Sequence, residues 1–172
     1  MEYVDVIDDH NHVINQVSKE DAHAKGLLHR CVIAEVINSS GEWLLVKQSA
    51  DRQDAGQFVS PVGGHISAGE SEDHALARET MEELGIIPTS YKRIGAKIFN
   101  RTTRGKRENH LFVLYEIQSN EIPVLNVESD SFEYFSKERI HQTFLTHTIS
   151  FGEAFIFILR EFYPDLTRDN TP

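Results

Sequence analysis

The stretch GHISAGESEDHALARETMEELGI, from Gly64 to Ile86, constrains this chain more than any other. Glu79, Glu82 and Glu83 stand at i, i+3 and i+4, and a helix turns about 100° per residue, so their carboxylates share one face. Ala77, Thr80, Met81 and Leu84 fall roughly opposite, which predicts a buried stripe beside an acidic one. Ser71 is a fitting N-cap, Glu72 and Asp73 place negative charge in the first turn, and Gly85 stands where a left-handed C-terminal cap is expected. Gly63, Gly64 and Gly69 break the preceding chain into a short irregular loop that brings Glu70 to the helix start.

Two carboxylates about 6 Å apart at an effective dielectric of about 20 repel by roughly 3 kcal/mol. The helix has no Lys and Arg78 is its only strong base, so a bound cation is the natural neutraliser. Oxygen ligands on a helix face suit Mg²⁺ or Mn²⁺ better than Zn²⁺. A cluster of Glu can also be a solvated surface, and here the spacing argues against that. Read as G-x5-E-x7-R-E-x-x-E-E-x-G, the chain supplies Gly64, Glu70, Arg78, Glu79, Glu82, Glu83 and Gly85 in register. This resembles the signature of the Nudix hydrolases, with Thr80 a departure where an aliphatic residue is usual.

The resemblance implies an α+β fold, the Nudix-type αβα sandwich with a mixed sheet between helices. It also implies water attack on a diphosphate linkage, in a nucleoside diphosphate derivative or a related phosphorylated metabolite. Glu79, Glu82 and Glu83 would be the catalytic set. Among them Glu79 and Glu83 would be the principal ligands of Mg²⁺ or Mn²⁺, Glu82 a further ligand or a base, and a backbone carbonyl near Gly63 or Gly64 would assist. Glu70 and Arg78 would pair to hold the loop on the helix, and Gly64 would be structural.

At 172 residues the chain fits one domain, 1–172, large enough to bury a core. A net charge of −10 argues against a nucleic-acid polymer or a membrane surface as partner and leaves a small-molecule diphosphate. Cys31 is the single cysteine, so no internal disulfide forms, a reducing cytoplasm is expected, and its apolar surroundings make it a structural thiol. The opening MEYVDVIDDH lacks the apolar core of a signal peptide, and no run approaches the roughly 20 apolar residues of a membrane span.

Tyr3–Ile7 and Val13–Val17 read as a strand pair, spanning 3–17, that could serve as the interface of a homodimer. Ser18 opens a brief helix ending near Gly26, and Cys31–Asn38 and Trp43–Gln48 read as the next strands. Phe58–Val62 leads into the box, and Tyr91–Asn100 and His110–Ile117 flank a loop from Arg101 to Asn109. That loop gathers Arg101, Arg104, Lys106 and Arg107, four of 17 basic residues; as phosphate binders Arg101, Arg104 and Lys106 would act there, and with Gln48–Gln57 it would set specificity. A short strand at Phe132–Phe135 and a small helix from Ser136 follow. Ser150 and Glu153 form a capping box for a terminal helix, about 150–163, and only the last eight residues look frayed.

Outside the box, VDVIDDHNHVI and AHAKGLLHR resemble the isopentenyl-diphosphate isomerases and the hydrolases similar to them. The isomerase's catalytic Cys would fall at Gly63 and its catalytic Glu near His110, so neither residue type is present. Those isomerases bind a metal through histidines and glutamates; His29, His65 and Glu108 match the positions, His23 is one residue out of register, and His110 could replace a missing Glu. Two other functions are open: a nucleotide-sensing module that does not cleave, and the isomerase itself.

Overall fold

The computed structural model describes residues 1–169. In chain order its elements are β1 (Tyr3–Ile7), β2 (Val13–Ser18), α1 (Lys19–Lys25), β3 (His29–Ile37), β4 (Trp43–Gln48), β5 (Phe58–Val59) and β6 (Val62–His65). There follow α2 (Glu72–Leu84), β7 (Tyr91–Thr103), β8 (Lys106–Gln118), β9 (Ser129–Phe135), α3 (Lys137–Thr146) and α4 (Glu153–Phe162).

β3 carries the architecture because both of its faces are apolar. Val32, Ala34 and Val36 join one core with Ala75, Leu76 and Leu84 of α2, while Cys31 and Ile33 join another with Phe99, Leu114 and Ile158 of α4. A strand buried on both sides needs helices on both sides, and the result is a mixed sheet in an αβα sandwich. β8 runs parallel to β3 along its whole length, from the pair His29 and His110 to the pair Ile37 and Gln118. On the other edge β6 pairs antiparallel with Cys31–Ala34, β1 touches at His29, and β4 takes over at Val36 and Ile37 before continuing to β5 and β9. A third core, with Trp43, Leu45, Phe135 and Phe155, seats α3 and α4 against β4 and β9.

The helix caps fall where the sequence places them. Ser71 Oγ accepts from His74 N at 3.2 Å, Ser18 Oγ accepts from Asp21 N at 3.2 Å, and Gly85 and Gly26 take the left-handed conformation at φ of 66° and 67°. Several local expectations are corrected. The buried stripe of α2 is Ala75, Leu76, Glu79, Thr80 and Leu84; Ala77 and Met81 are exposed, so the helix is rotated toward the sheet by its acidic edge. Residues 101–109 are no open loop but the end of a long hairpin. β7 and β8 stay paired out to Thr103 and Lys106, and Arg104 and Gly105, with φ of 47° and 75°, make the two-residue turn. In the segment leading into the box, Pro61 lies between β5 and β6.

α4 begins at Glu153 with Gly152 as its uncapped start. Ser150 Oγ instead accepts from Gln57 Nε2 at 2.9 Å, so the capping box does not form. Of the last eight residues, expected to fray, Asp165 and Leu166 belong to a 3-10 turn, Pro164–Leu166, whose Leu166 packs on the third core, and residues 170–172 lie outside the described residues. No helix among the described residues is long and apolar enough to cross a membrane.

The β3 alternation also puts a carboxyl where an apolar residue would be expected. Glu35 is 0% exposed, accepts from Ser60 Oγ at 2.6 Å, and is pushed up to about 8 by burial. The folded chain therefore keeps a proton that the unfolded chain releases near its ordinary value of 4.5, so stability falls as pH rises from there through about 8. Urea unfolding at about pH 5 and at about pH 9 should show that loss in the parent chain and a flatter dependence in Glu35→Gln, which is neutral throughout. Equal slopes in the two proteins would contradict it.

Candidate active site

Arg78 sets the geometry of the box. Its guanidinium donates to Glu70 Oε1 and Oε2 at 2.9 and 2.8 Å, to the His65 carbonyl at 2.9 Å and to Glu79 Oε1 at 2.6 Å. Glu70 also accepts from Ser67 N at 2.9 Å, so the loop, β6 and α2 are joined through one side chain. This fork holds the Glu70 carboxyl below its usual range and raises the guanidinium further. Gly64 lies so close beneath Glu79 that a Cβ there would collide with its carboxylate, which is the physical reason for a glycine at this point of β6.

Glu79 is buried, with its carboxyl pushed up by that burial despite the pull of Arg78. Glu83 accepts from Gly63 N at 3.1 Å, and burial, with the charge of Glu79, pushes its carboxyl well above the usual range. Glu82 is more open, at 57% side-chain exposure and 3.7 Å from Arg78. Glu70, Glu79 and Glu82 thus share one guanidinium, with Glu83 beside them, and the charge left over suits a cation with oxygen ligands. The donor set fits Mg²⁺ or Mn²⁺.

Glu79, Glu82 and Glu83 line a cleft of about 800 Å³. Lys19, Arg52, Arg104 and Lys106 line it as well, together with Gln53 and Glu128. Of the expected phosphate binders, Lys106 and Arg104 reach the cleft. Arg104 already donates to the carbonyls of Asp51 and Arg52 at 2.9 and 2.8 Å, so it clamps the loop between β4 and β5. Arg101 does not line the cleft: at 11% side-chain exposure it is held between Glu108 at 2.6 Å and Asp54 at 3.2 Å. Its placement on a paired strand, rather than on a free loop, turns it into the sheet edge. Lys19, Arg52 and Glu128 carry no motif that singles them out; only folding brings residues 19, 52 and 128 together, although Arg52 falls in the loop from which specificity was expected.

Beside the cleft, with His65 in its lining, sit four histidines. His23 of α1, His29 of β3, His65 of β6 and His110 of β8 bring ligand atoms within 4.8 Å of one another. His23 Nε2 lies 3.2 Å from His110 Nε2 and 3.3 Å from His65 Nε2. The Leu27 carbonyl lies 2.7 Å from His29 Nδ1, and His29 Nε2 is buried with no hydrogen-bond partner among the described residues. Burial lowers all four rings, His110 to about 2, so they are neutral. Neutral imidazoles crowded nitrogen to nitrogen, with one nitrogen orphaned, fit a metal with nitrogen ligands. Glu108, expected beside them, is taken by Arg101 and is not part of the cluster. Cys31, on the same strand as His29, is buried with its thiol pushed well up, as expected of a structural residue.

A sandwich whose α2 offers carboxylates to a cleft of this size defines a class, and known proteins show which. A model of the NUDIX domain matches residues 27–151, and the chain therefore belongs to the Nudix hydrolase family. The uncharacterized Nudix hydrolase SCO1686 of Streptomyces coelicolor is 38% identical over 88 residues, 49% of this chain and 47% of that protein. Isopentenyl-diphosphate Delta-isomerase 2 of Photorhabdus laumondii is 35% identical over 81 residues, 46% of each chain. The chain thus spans about half the length of these relatives. DR0079 of Deinococcus radiodurans has the same fold, with a TM-score of 0.74, 20% identity, and coverage of 94% of this chain and 99% of that one. At Gly63 and His110 the chain lacks the Cys and Glu that the isomerase resemblance implies, and His110 is turned into the histidine cluster.

Gly64→Ala should displace the Glu79 carboxylate without emptying a core. Titration with Mn²⁺, read by electron paramagnetic resonance, should show binding weakened at least about tenfold while the melting temperature moves by only a few degrees. Unchanged Mn²⁺ affinity would mean that Glu79 is not part of a cation site.

Proposed function

We propose that the protein is a divalent-metal-dependent pyrophosphohydrolase of the cytoplasm that cleaves a diphosphate linkage in a nucleoside diphosphate derivative or a related phosphorylated metabolite. One observation carries the reading: the carboxylates of Glu79, Glu82 and Glu83, short of compensating charge, line the same cleft as Lys19, Arg52, Arg104 and Lys106. A cleft lined by both kinds of group suits a substrate whose phosphates are bridged to the carboxylates by cations and held directly by the bases. Glu79, Glu82 and Glu83, with a carbonyl near Gly63, would hold Mg²⁺ or Mn²⁺. When bound, the cation supplies neutralisation of phosphate charge and activation of water. Arg78 and Glu70 keep the ligand helix fixed to the loop, Gly64 gives Glu79 its room, and Lys106 meets phosphate.

Neither alternative finds equal support. A module that senses nucleotides without cleaving them has no need of three carboxylates gathered against their mutual repulsion. The isomerase lacks its proton-transfer pair. A homodimer through β1 and β2 belongs to the proposal, with exposed Tyr3, Val13 and Ile14 as its support.

The histidine cluster is proposed as a second metal site, held by His23, His29, His65 and His110 and separate from the carboxylates in ligand type. Four imidazole nitrogens suit Zn²⁺ or another late transition metal. Its place, joining α1 to three strands, suits a structural role beside the cleft.

Two experiments test these readings. A panel of diphosphates with Mg²⁺ or Mn²⁺ should yield phosphate or a monophosphate, and Glu83→Gln should lower turnover by about 10³-fold or more. Tight nucleotide binding with no turnover at any metal concentration would replace the hydrolase with the sensor. Metal analysis of protein purified without a histidine tag should find about one transition metal per chain, lost in His29→Ala. Absence of any such metal, with no gain in melting temperature on adding Zn²⁺, Mn²⁺ or Fe²⁺, would remove the second site.

A further inference from the structure

A site for an organic ligand is ordinarily lined by apolar and aromatic side chains, with a few polar groups that orient the guest. A nucleobase is held by stacking on a ring, and a hydrocarbon chain by apolar contact. This cleft offers neither. Among the described residues that line it there is no Phe, Tyr or Trp and no aliphatic side chain; apart from Gly63 and Gly64, every one is charged or polar. An imidazole can also stack on a base, but the one in the lining, His65, is already stacked on His29 at 5.2 Å and edge-on to His23 and His110.

The polar groups of the lining are also incompletely used. Arg52 Nε and Gln53 Nε2 are buried with no hydrogen-bond partner among the described residues, and Lys106 makes no ion pair among them. Buried donors left unpaired are costly, so a guest that brings acceptor oxygens is favoured there. The loop that carries Arg52 and Gln53 is held in place from both ends. Gly56 N donates to the Gln48 carbonyl at 2.9 Å and Arg52 N to the Ser49 carbonyl at 3.0 Å, while Arg104 clamps the carbonyls of Asp51 and Arg52.

Two kinds of guest oxygen match this set. A phosphate oxygen accepts and suits Arg52 and Lys106. A hydroxyl both donates and accepts, as do the side chains of Gln48, Gln53 and Ser67, which line the same cleft.

We propose that the substrate is a phosphorylated sugar or polyol that carries a diphosphate and has neither a nucleobase nor a hydrocarbon chain, its hydroxyls and remaining phosphate being taken by Gln53 and Arg52. The inference rests on the hydrolase reading and narrows it. The carboxylates and their cations select the diphosphate, and the rest of the lining selects what is attached to it. A base in this cleft gains no stacking partner among the Phe, Tyr and Trp residues, and an isoprenoid chain would strip water from charged side chains without apolar contact in return. Specificity in the Gln48–Gln57 loop therefore comes from hydrogen bonds.

The test has a binding arm and a kinetic arm, both on the full chain. Isothermal titration with Mg²⁺ compares methylenediphosphonate with its adenosine ester, two probes that share one uncleavable group. Their affinities should agree within about threefold. A gain of about tenfold or more from the adenosine, which stacking on any ring or on an Arg face would give, would overturn the inference. In the kinetic arm the diphosphate panel includes 5-phosphoribosyl 1-diphosphate, ADP-ribose, geranyl diphosphate and tripolyphosphate. The first should have a kcat/KM about 100-fold or more above the other three, and Gln53→Leu should raise its KM about tenfold with kcat nearly unchanged. Cleavage of ADP-ribose, geranyl diphosphate or tripolyphosphate equal to or better than that of the sugar diphosphate would overturn the inference and leave the hydrolase standing. An unmoved KM in Gln53→Leu would overturn the contact assigned to Gln53. A chain that cleaves nothing in the panel would remove the hydrolase and the inference together.

Discussion

The chemistry of this fold depends on one guanidinium set among too many carboxylates. Arg78 reaches Glu70, Glu79 and the His65 carbonyl at once, and so locks a loop, a strand and a helix into one frame. Glu82 is met only at 3.7 Å and left open to water, while Glu83 is buried away from the water that would ease its charge. The frame is rigid and underneutralised together, and that combination makes it receptive to a cation. A helix free to turn would swing its Glu side chains into solvent and relieve the repulsion instead.

That rigidity comes from β3. Because its two faces are both buried, α2 has no freedom to shift along the sheet, and β6 is held to it by four residue pairs. The same pairing sets two unlike sites back to back. Gly64 and His65 are neighbours on β6, with the first making room for Glu79 and the second turned to the histidines. The histidines are kept uncharged by burial, so they bring no positive charge to the carboxylates, and the second metal site proposed above would differ from the first in ligand type.

Much of this was legible in the sequence because the box is local. The positions of Ser71, Glu79, Glu82, Glu83 and Gly85 follow from helix geometry, and the structure puts their caps and carboxylates where that geometry implies. The helix's rotation was not legible: Ala77 and Met81 have the right chemistry for a core, but the sheet receives the Ala75 and Leu76 face and buries Glu79 with it. Arg101 was misread for the same reason. Its neighbours in sequence are basic, whereas its neighbours in space, Asp54 and Glu108, are acidic, and pairing across β7 and β8 decides between them. Glu35 carries no local signal at all, since its burial arises from contacts between distant residues.

The central claim concerns where a divalent cation settles, and anomalous diffraction from crystals soaked in Mn²⁺ addresses it most directly. The account predicts strong peaks within about 2.0–2.4 Å of carboxylate oxygens of Glu79, Glu82 or Glu83, on the cleft side of α2. A map with no peak there, and Arg78 still spanning the carboxylates at saturating Mn²⁺, would contradict it.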